Sequence, residues 1–400
     1  MLETVLRRFI RQGSLLVRWP DGREARFGDG EGPGGGLWLR TPRAVRRLLL
    51  DPALALGELY MDGEVEPIEG SLHDLLMVLT LNQAEGDPGL GAVMERLRRG
   101  LRRLAQFNPA GRARRNVAHH YDLDARVYRR FLDADMQYSC AYFPTGRETL
   151  EEAQRAKKRH IAAKLRLDRP GLEVLDIGSG WGGLALHLAR EHGARVTGIT
   201  LSQEQLEAAR ARAEAEGLSG RVRFELLDYR AWDRPVDRIV SVGMVEHVGL
   251  NHFRSYFGAI ARWLREDGVA LVHGIGRSGG PGTTNPWLAK YIFPGGYSPA
   301  LSEVVPAVER SGLWITDIEV LRLHYAMTIA EWRARFAAHR DEIRALHDER
   351  FCRMFEFYLS GCECAFRHGG HMVWQMQLAR RVDALPLTRD YMAEAERALA

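Results

Sequence analysis

The densest chemistry-bearing stretch of the chain is EVLDIGSGWGG, residues 173–183. An apolar run ends in Asp176, after which Gly178 and Gly180 let the backbone turn tightly into a helix and let a ligand approach the peptide groups closely. Dinucleotide-binding folds use similar glycines, so the loop alone does not identify what it binds. A nicotinamide site also wants an acid at the end of the second strand to hold a ribose, and this chain instead reads GITLSQEQ from Gly198 to Gln205. Asp228, after a third strand, is a candidate to face a purine. The adjacent His119 and His120 suggest a metal, but no third ligand has suitable spacing and no metal site is predicted. Cys140, Cys352, Cys362 and Cys364 include no C-x-x-C pair, a poor signature for zinc or a disulfide. Reduced thiols in a cytoplasmic protein are the expectation.

These groups need a scaffold. Short β-branched runs at 173–177, 195–200, 222–226, 237–242 and 268–274 alternate with helix-forming segments at 184–191, 203–217 and 252–264. Such alternation predicts an α/β fold built on a parallel sheet with crossover helices. Later strands are expected at 314–321 and 372–378. Residues 1–104 read as a separate small α+β unit, in which LLVRW (15–19) and ARF (25–27) flank a turn at Pro20-Asp21-Gly22. The glycine-rich GDGEGPGGG (28–36) reads as a loop or bulge, and no Lys-Ser/Thr follows it to make a phosphate cradle. Val93, Leu97, Leu101 and Leu104 recur at helical spacing with Arg between them, a basic amphipathic helix that Asn108-Pro109 and Gly111 break into a linker at 105–118. Residues 119–400 then form the expected catalytic unit. Its insertion at 276–300 mixes Gly and Pro with Trp287, Tyr291, Ile292 and Phe293, and reads as a pocket wall or lid.

A chain of 400 residues suits two or three domains, and 46% hydrophobic with 27% charged residues excludes a disordered, collagenous or coiled-coil protein. The formal charge of +4 comes from 52 Arg and only four Lys (157, 158, 164 and 290) against 52 acids. Eight of the Arg lie between Arg96 and Arg115 with no acid among them, so the basic sign comes from one segment suited to anionic lipid or nucleic acid. No apolar run approaches the roughly 20 residues of a transmembrane helix. The N-terminus lacks the apolar core and small-residue cleavage site of a secretory signal.

DxGSGWGG, GITLSxEQ and LLDYR (226–230) together resemble the S-adenosylmethionine-dependent methyltransferases. More narrowly, the chain resembles the cyclopropane-fatty-acyl-phospholipid synthase and mycolic-acid cyclopropane synthase family from about His119 to Arg381. HHYDL (119–123), MQYSCAYF (136–143), VEHVG (245–249), KYIFPGG (290–296), HYAMTIAEW (324–332) and CECAFR (362–367) carry that likeness at separated places. The resemblance implies a Rossmann-like class I methyltransferase sheet, S-adenosylmethionine as methyl donor and a bound bicarbonate. It directs Tyr138 and Ser139 toward the methionine end of the cofactor, Gly178 and Gly180 along its backbone below Asp176, Thr200 and Gln205 toward the ribose, and Asp228 and Tyr229 toward the adenine. His119, His120 and Tyr121 would belong to a segment closing over it. The bicarbonate would be held by Cys140, Glu246, His273, the backbone at Ile275, and Tyr325, with Cys362 lining the site. Cys364 departs from the small residue usual in that motif and is expected to serve packing.

In the implied reaction a cis double bond within a lipid chain attacks the sulfonium methyl, and the resulting cation loses a proton from that methyl as a ring closes. An alkene is a poor nucleophile, so the site must align it and exclude water. Tyr142, Phe143, Trp287, Tyr291, Phe293 and Tyr325 are the candidate aromatic walls. An ionised carboxylate would repel bicarbonate, so Glu246 must share a proton, donate as the neutral acid or be offset by His273. A nucleophilic role for Cys140 is not required. The alternative outcome is a methylene or methyl-branched chain. The expected partners are unsaturated phospholipid and the anionic inner face of the membrane, on which residues 1–104 and the basic helix would dock peripherally. A homodimer is allowed for. Nucleic acid is not expected, because VGMVEHVG stands where the Asn-Pro-Pro-Tyr-type loop for a flipped base would lie.

Overall fold

The computed structural model of the protein describes residues 1–83 and 125–398, with Arg98, Gly100 and Gln106 between them. His119, His120, Tyr121 and nearly all of the basic helix and linker lie outside the described residues. Arg98 is described, and its guanidinium pairs with Asp51 at 2.6 Å. The chain forms two compact units: Met1–Ala105 with Gly282–Pro294 and Ile329–His371, and Gln106–Pro281 with Gly295–Thr328 and Met372–Ala400. The N-terminal unit therefore recruits two later segments that a boundary at residue 104 leaves out.

The first unit is built on a four-stranded sheet of β1 (Ser14–Arg18), β2 (Glu24–Phe27), β3 (Gly34–Leu39) and β4 (Val65–Ile68), in the order β2-β1-β3-β4. Alternation along β1 buries Leu15 and Val17 with Leu37, Leu39 and Val65, the period of two that a one-sided sheet requires. Gly34–Gly36, expected in a loop, belong to β3. The reason is steric: a Cβ on Gly35 would lie 2.9 Å from the Leu75 nitrogen, and one on Gly36 2.7 Å from the Ile68 carbonyl oxygen. Only bare backbone lets helix Leu72–Leu81 and β4 come that close. The expected pocket wall at 276–300 contains a helix, Pro286–Tyr291, whose first turn is capped by the Asn285 side chain. Trp287 is buried against Phe357 with ring centroids 4.7 Å apart, and Phe293 packs on Tyr358 at 5.6 Å. Tyr291 donates to buried Glu58, which also accepts from Lys290 and Arg47. Trp287 is thus buried within the first unit, while Tyr291 and Phe293 are half-buried there.

The second unit carries a seven-stranded sheet of β5 (Glu173–Ile177), β6 (Arg195–Thr200), β7 (Val222–Leu226), β8 (Val236–Val242), β9 (Leu264–Arg277), β10 (Trp314–Val320) and β11 (His371–Ala379). Its order is β10-β11-β9-β8-β5-β6-β7, with β5 through β9 parallel and β10 antiparallel to β11. Successive strand residues feed different cores. Leu175, Ile239 and Ala270 pack with Phe253, Tyr256 and Phe257, whereas Val174, Val240 and Leu271 pack with Leu186, Leu206 and Ala209. Burial on both faces explains the continuous apolar runs of these strands. Chain order reverses between β5 and β8, which opens a crevice at their carboxyl ends, the place where such sheets bind ligands. Among the described residues, no helix is long and apolar enough to cross a membrane.

Candidate active site

A cavity sits at that crevice, and its lining contains Tyr138, Ser139, Asp176, Gly178, Gly180, Thr200, Gln205 and Tyr229. The turn after β5 works because Gly178 and Gly180 adopt φ of +81° and +53°, a left-handed backbone that side chains disfavour. The amides of Gly178 and Ser179 bond the Ile199 carbonyl at 2.9 and 3.0 Å, tying the loop to β6. A Cβ on Gly180 would meet nothing within 4 Å, so this glycine faces open space. At the end of β6, the Thr200 hydroxyl donates to Gln205 Oε1 at 3.0 Å, which leaves the amide NH2 of Gln205 as its donor for a ligand. Asp228 does not line the cavity. Its two oxygens accept from the Arg230 guanidinium at 2.8 and 2.6 Å.

The cavity also holds residues that motif reading missed. Lys157 is 1% exposed and donates to Gln137 Oε1 at 2.5 Å and Ser139 Oγ at 2.9 Å. Burial pulls its ammonium down to about 8. Asp176, 2% exposed, has an Oδ2 with no partner, and burial pushes its carboxyl up to about 7. Trp181, Met244 and His247 complete the wall, with burial lowering His247 to about 4. Lys157 had one signal in the sequence, as a rare lysine in an arginine-rich chain.

A second buried polar group forms where helix Val245–Val248 meets β9. The Ile275 amide donates to Glu246 Oε1, while Glu246 Oε2 is buried without a partner. Desolvation pushes the Glu246 carboxyl up to about 7, so near neutrality much of it is the protonated acid. His273, two residues before Ile275 on β9 and thus on the same face, is 2% exposed, and burial lowers it to about 3. The Cys140 segment is tied to the start of helix His324–Ala338: the Ala141 amide donates to Thr328 Oγ1 at 3.0 Å, and the Phe143 amide to His324 Nδ1 at 3.0 Å. Tyr325 begins that same helix and is buried. Tyr142 stacks on His160 at 4.1 Å and on His324 at 5.0 Å. Burial raises the Cys140 thiol well above its usual range, so it is a neutral donor rather than a thiolate nucleophile. Cys362 belongs to the first unit, on helix Glu349–Arg367, with its thiol pushed up to about 12 by burial. Cys364 packs with Tyr60, Leu72 and Leu76 in the first unit.

The profile of the family described as mycolic acid cyclopropane synthetase matches residues 109–376, well over half the chain. The chain belongs to that family. Residues 1–85 match a second profile, a domain of unknown function. Among curated proteins, the cyclopropane-fatty-acyl-phospholipid synthase of Escherichia coli K12 is 38% identical over 347 residues, covering 86% of this chain and 88% of the relative. The tuberculostearic acid methyltransferase UfaA1 of Mycobacterium tuberculosis is 36% identical over 400 residues, covering 94% and 90%. Among solved structures, the mycolic acid cyclopropane synthase CmaA1 complexed with SAH and CTAB superposes with a TM-score of 0.63 at 33% identity, covering 68% of this chain and 99% of that one. This member of the mycolic acid cyclopropane synthetase family is thus an S-adenosylmethionine-dependent methyltransferase.

Proposed function

We propose that the protein is a cyclopropane-fatty-acyl-phospholipid synthase acting on the cis double bonds of unsaturated phospholipid chains. The observation that carries this reading is coverage. The E. coli phospholipid enzyme aligns with 86% of the chain, whereas the mycolic-type structure spans 68%. S-adenosylmethionine, when bound, supplies the electrophilic methyl. Gly178 and Gly180 leave their backbone open to it, Gln205 offers its amide, and the unpartnered Asp176 Oδ2 provides an acceptor.

A bicarbonate ion fits the second polar group and would supply the base. The fit rests on the orphaned Glu246 Oε2: held at Oε1 by the Ile275 amide, a protonated Glu246 turns an O–H toward an anion rather than a repelling charge. Neutral His273 adds an N–H and Tyr325 a hydroxyl, neither with a charge to desolvate, while the Cys140 thiol, which donates to the Ala141 carbonyl at 3.3 Å, would turn from it to join them. The surrounding burial keeps water from competing for the reacting carbon. Phe143 and Tyr325 would offer aromatic faces to a developing cation, whereas the ring of Tyr142 is already stacked on His160 and His324.

The arginine-rich stretch from Arg96 to Arg115 would dock the protein on anionic lipid, which makes it a peripheral protein of the inner membrane face. The near full-length match to a tuberculostearic acid methyltransferase supports a second reading, in which the product is a methylene or methyl-branched chain. Incubating the protein with S-adenosylmethionine and vesicles of a defined cis-unsaturated phospholipid, then recording proton NMR of the recovered fatty acids, separates the two. Far-upfield ring signals support the synthase, and alkylated chains without them overturn it. Binding that survives high salt, or that is equal on neutral and anionic vesicles, overturns the docking role.

A further inference from the structure

Beneath the second polar group runs a buried network that the reaction as described does not use. Gln375 on β11 is fully buried, and its Nε2 lies 3.1 Å from His273 Nδ1 on the neighbouring strand β9. Its other amide atom, Oε1, accepts from Lys164 Nζ at 2.8 Å. Lys164, the last residue of helix Leu150–Lys164 and 1% exposed, also pairs with Glu319, which stands directly opposite Gln375 in the β10–β11 register. His160, one turn earlier on that helix, donates to or accepts from the same Glu319 at 2.6 Å.

The orientation of the Gln375 amide follows from chemistry. An ammonium has three donors and no acceptor, so only a carbonyl oxygen can face it. Reversing the amide would set NH2 against NH3+ and leave a carbonyl facing the ring. With Oε1 committed to Lys164, the NH2 must face His273, and an NH2 can only donate. His273 Nδ1 must then present a lone pair, and in a neutral imidazole the proton is left on Nε2.

We infer that Gln375, oriented by Lys164, is a positioning residue that holds His273 as the neutral Nε2–H tautomer, so that the ring can act only as a donor to a bound anion. A histidine free to exchange tautomers would present a lone pair part of the time, and a lone pair repels an anion. The value of this to the enzyme rests on the bicarbonate reading above, but the tautomer itself does not.

The test is long-range proton–nitrogen NMR on protein labelled with 15N-histidine, the His273 signals being assigned by their loss in His273→Gln. In the parent the expected pattern is the Nε2–H tautomer. In Gln375→Glu, an acceptor-only carboxylate calls for a proton on Nδ1, so the pattern should change to Nδ1–H or imidazolium. In Lys164→Met the amide is released and a mixture is expected. A parent His273 that is Nδ1–H or mixed overturns the proposal, and this needs no variant to fold. An unchanged tautomer in both Gln375→Glu and Lys164→Met overturns it as well, since a merely structural glutamine would lower stability without moving the proton. Product formation is followed against added bicarbonate, and the half-saturating concentration should rise about tenfold or more in Gln375→Glu while S-adenosylmethionine affinity holds. If the tautomer shifts and the bicarbonate dependence does not, the positioning role stands and the bicarbonate reading falls.

Discussion

Replacing Glu246 with Gln should stabilise the protein while abolishing turnover, and the size of the gain depends on pH. In the fold the carboxyl is pushed from an ordinary 4.5 to about 7 by burial. The folded state therefore holds a proton that the unfolded chain releases between those values, so stability falls as pH rises through this window. Well above pH 7 the ionised form costs about 3 kcal/mol, and near pH 5.5 the cost has dropped to about 1 kcal/mol. Gln keeps the acceptor for the Ile275 amide and carries an NH2 where the acid carried its O–H, so it escapes this cost without breaking the contact. Urea denaturation followed in carbonate-free buffer at pH 5.5 and 8.5 should show Glu246→Gln gaining about 2 kcal/mol on its parent between the two. The same preparation should lose product formation, because Gln cannot share a proton with the anion. A variant that gains nothing at the higher pH, or one that turns over like its parent, refutes the burial and proton argument.

The other expectations concern the cofactor wall and the first unit. Lys157→Met removes the donor that holds Gln137 and Ser139, and calorimetric titration should show S-adenosylmethionine binding about tenfold weaker, about 1.4 kcal/mol. Gly180→Val forces a branched side chain into φ of +53° and fills the open space beside the loop, so cofactor binding should vanish while far-UV circular dichroism stays that of the parent. Gly57→Ala would set a methyl 2.5 Å from Trp287 Nε1 and 2.8 Å from Phe357, an overpacking worth about 1–3 kcal/mol that denaturation of the variant should report.

Much of the second unit was legible because its signals are local. A strand carrying Asp176 near its end, two glycines and a helix start lie within a dozen residues, and the structure puts the loop where that order demands. For Trp287, composition marked a ring that needs covering but not the body that covers it, which is the first unit. The glycines of 34–36 misled because an open loop and a close backbone approach both exclude side chains. The lysines were a signal of another kind. In a chain that writes its cations as Arg, three of its four Lys stand on one helix and are 1%, 4% and 1% exposed. A compact ammonium with three rotatable donors can serve several oxygens around one point, as Lys157 and Lys164 do.

The amino-acid sequence by itself determined the alternation of strands and helices, the cofactor loop and the separated motifs of the family, all written in short windows of residue type. It could not mark Gln375, since a glutamine in a strand reads as solvent-facing until the strand is known to be covered on both sides. Nor could it join Lys164, His273 and Gln375, which lie more than a hundred residues apart in part and meet only through strand order and register. Which nitrogen of a histidine carries its proton is decided by neighbours brought together in space, and only the tertiary structure supplies them.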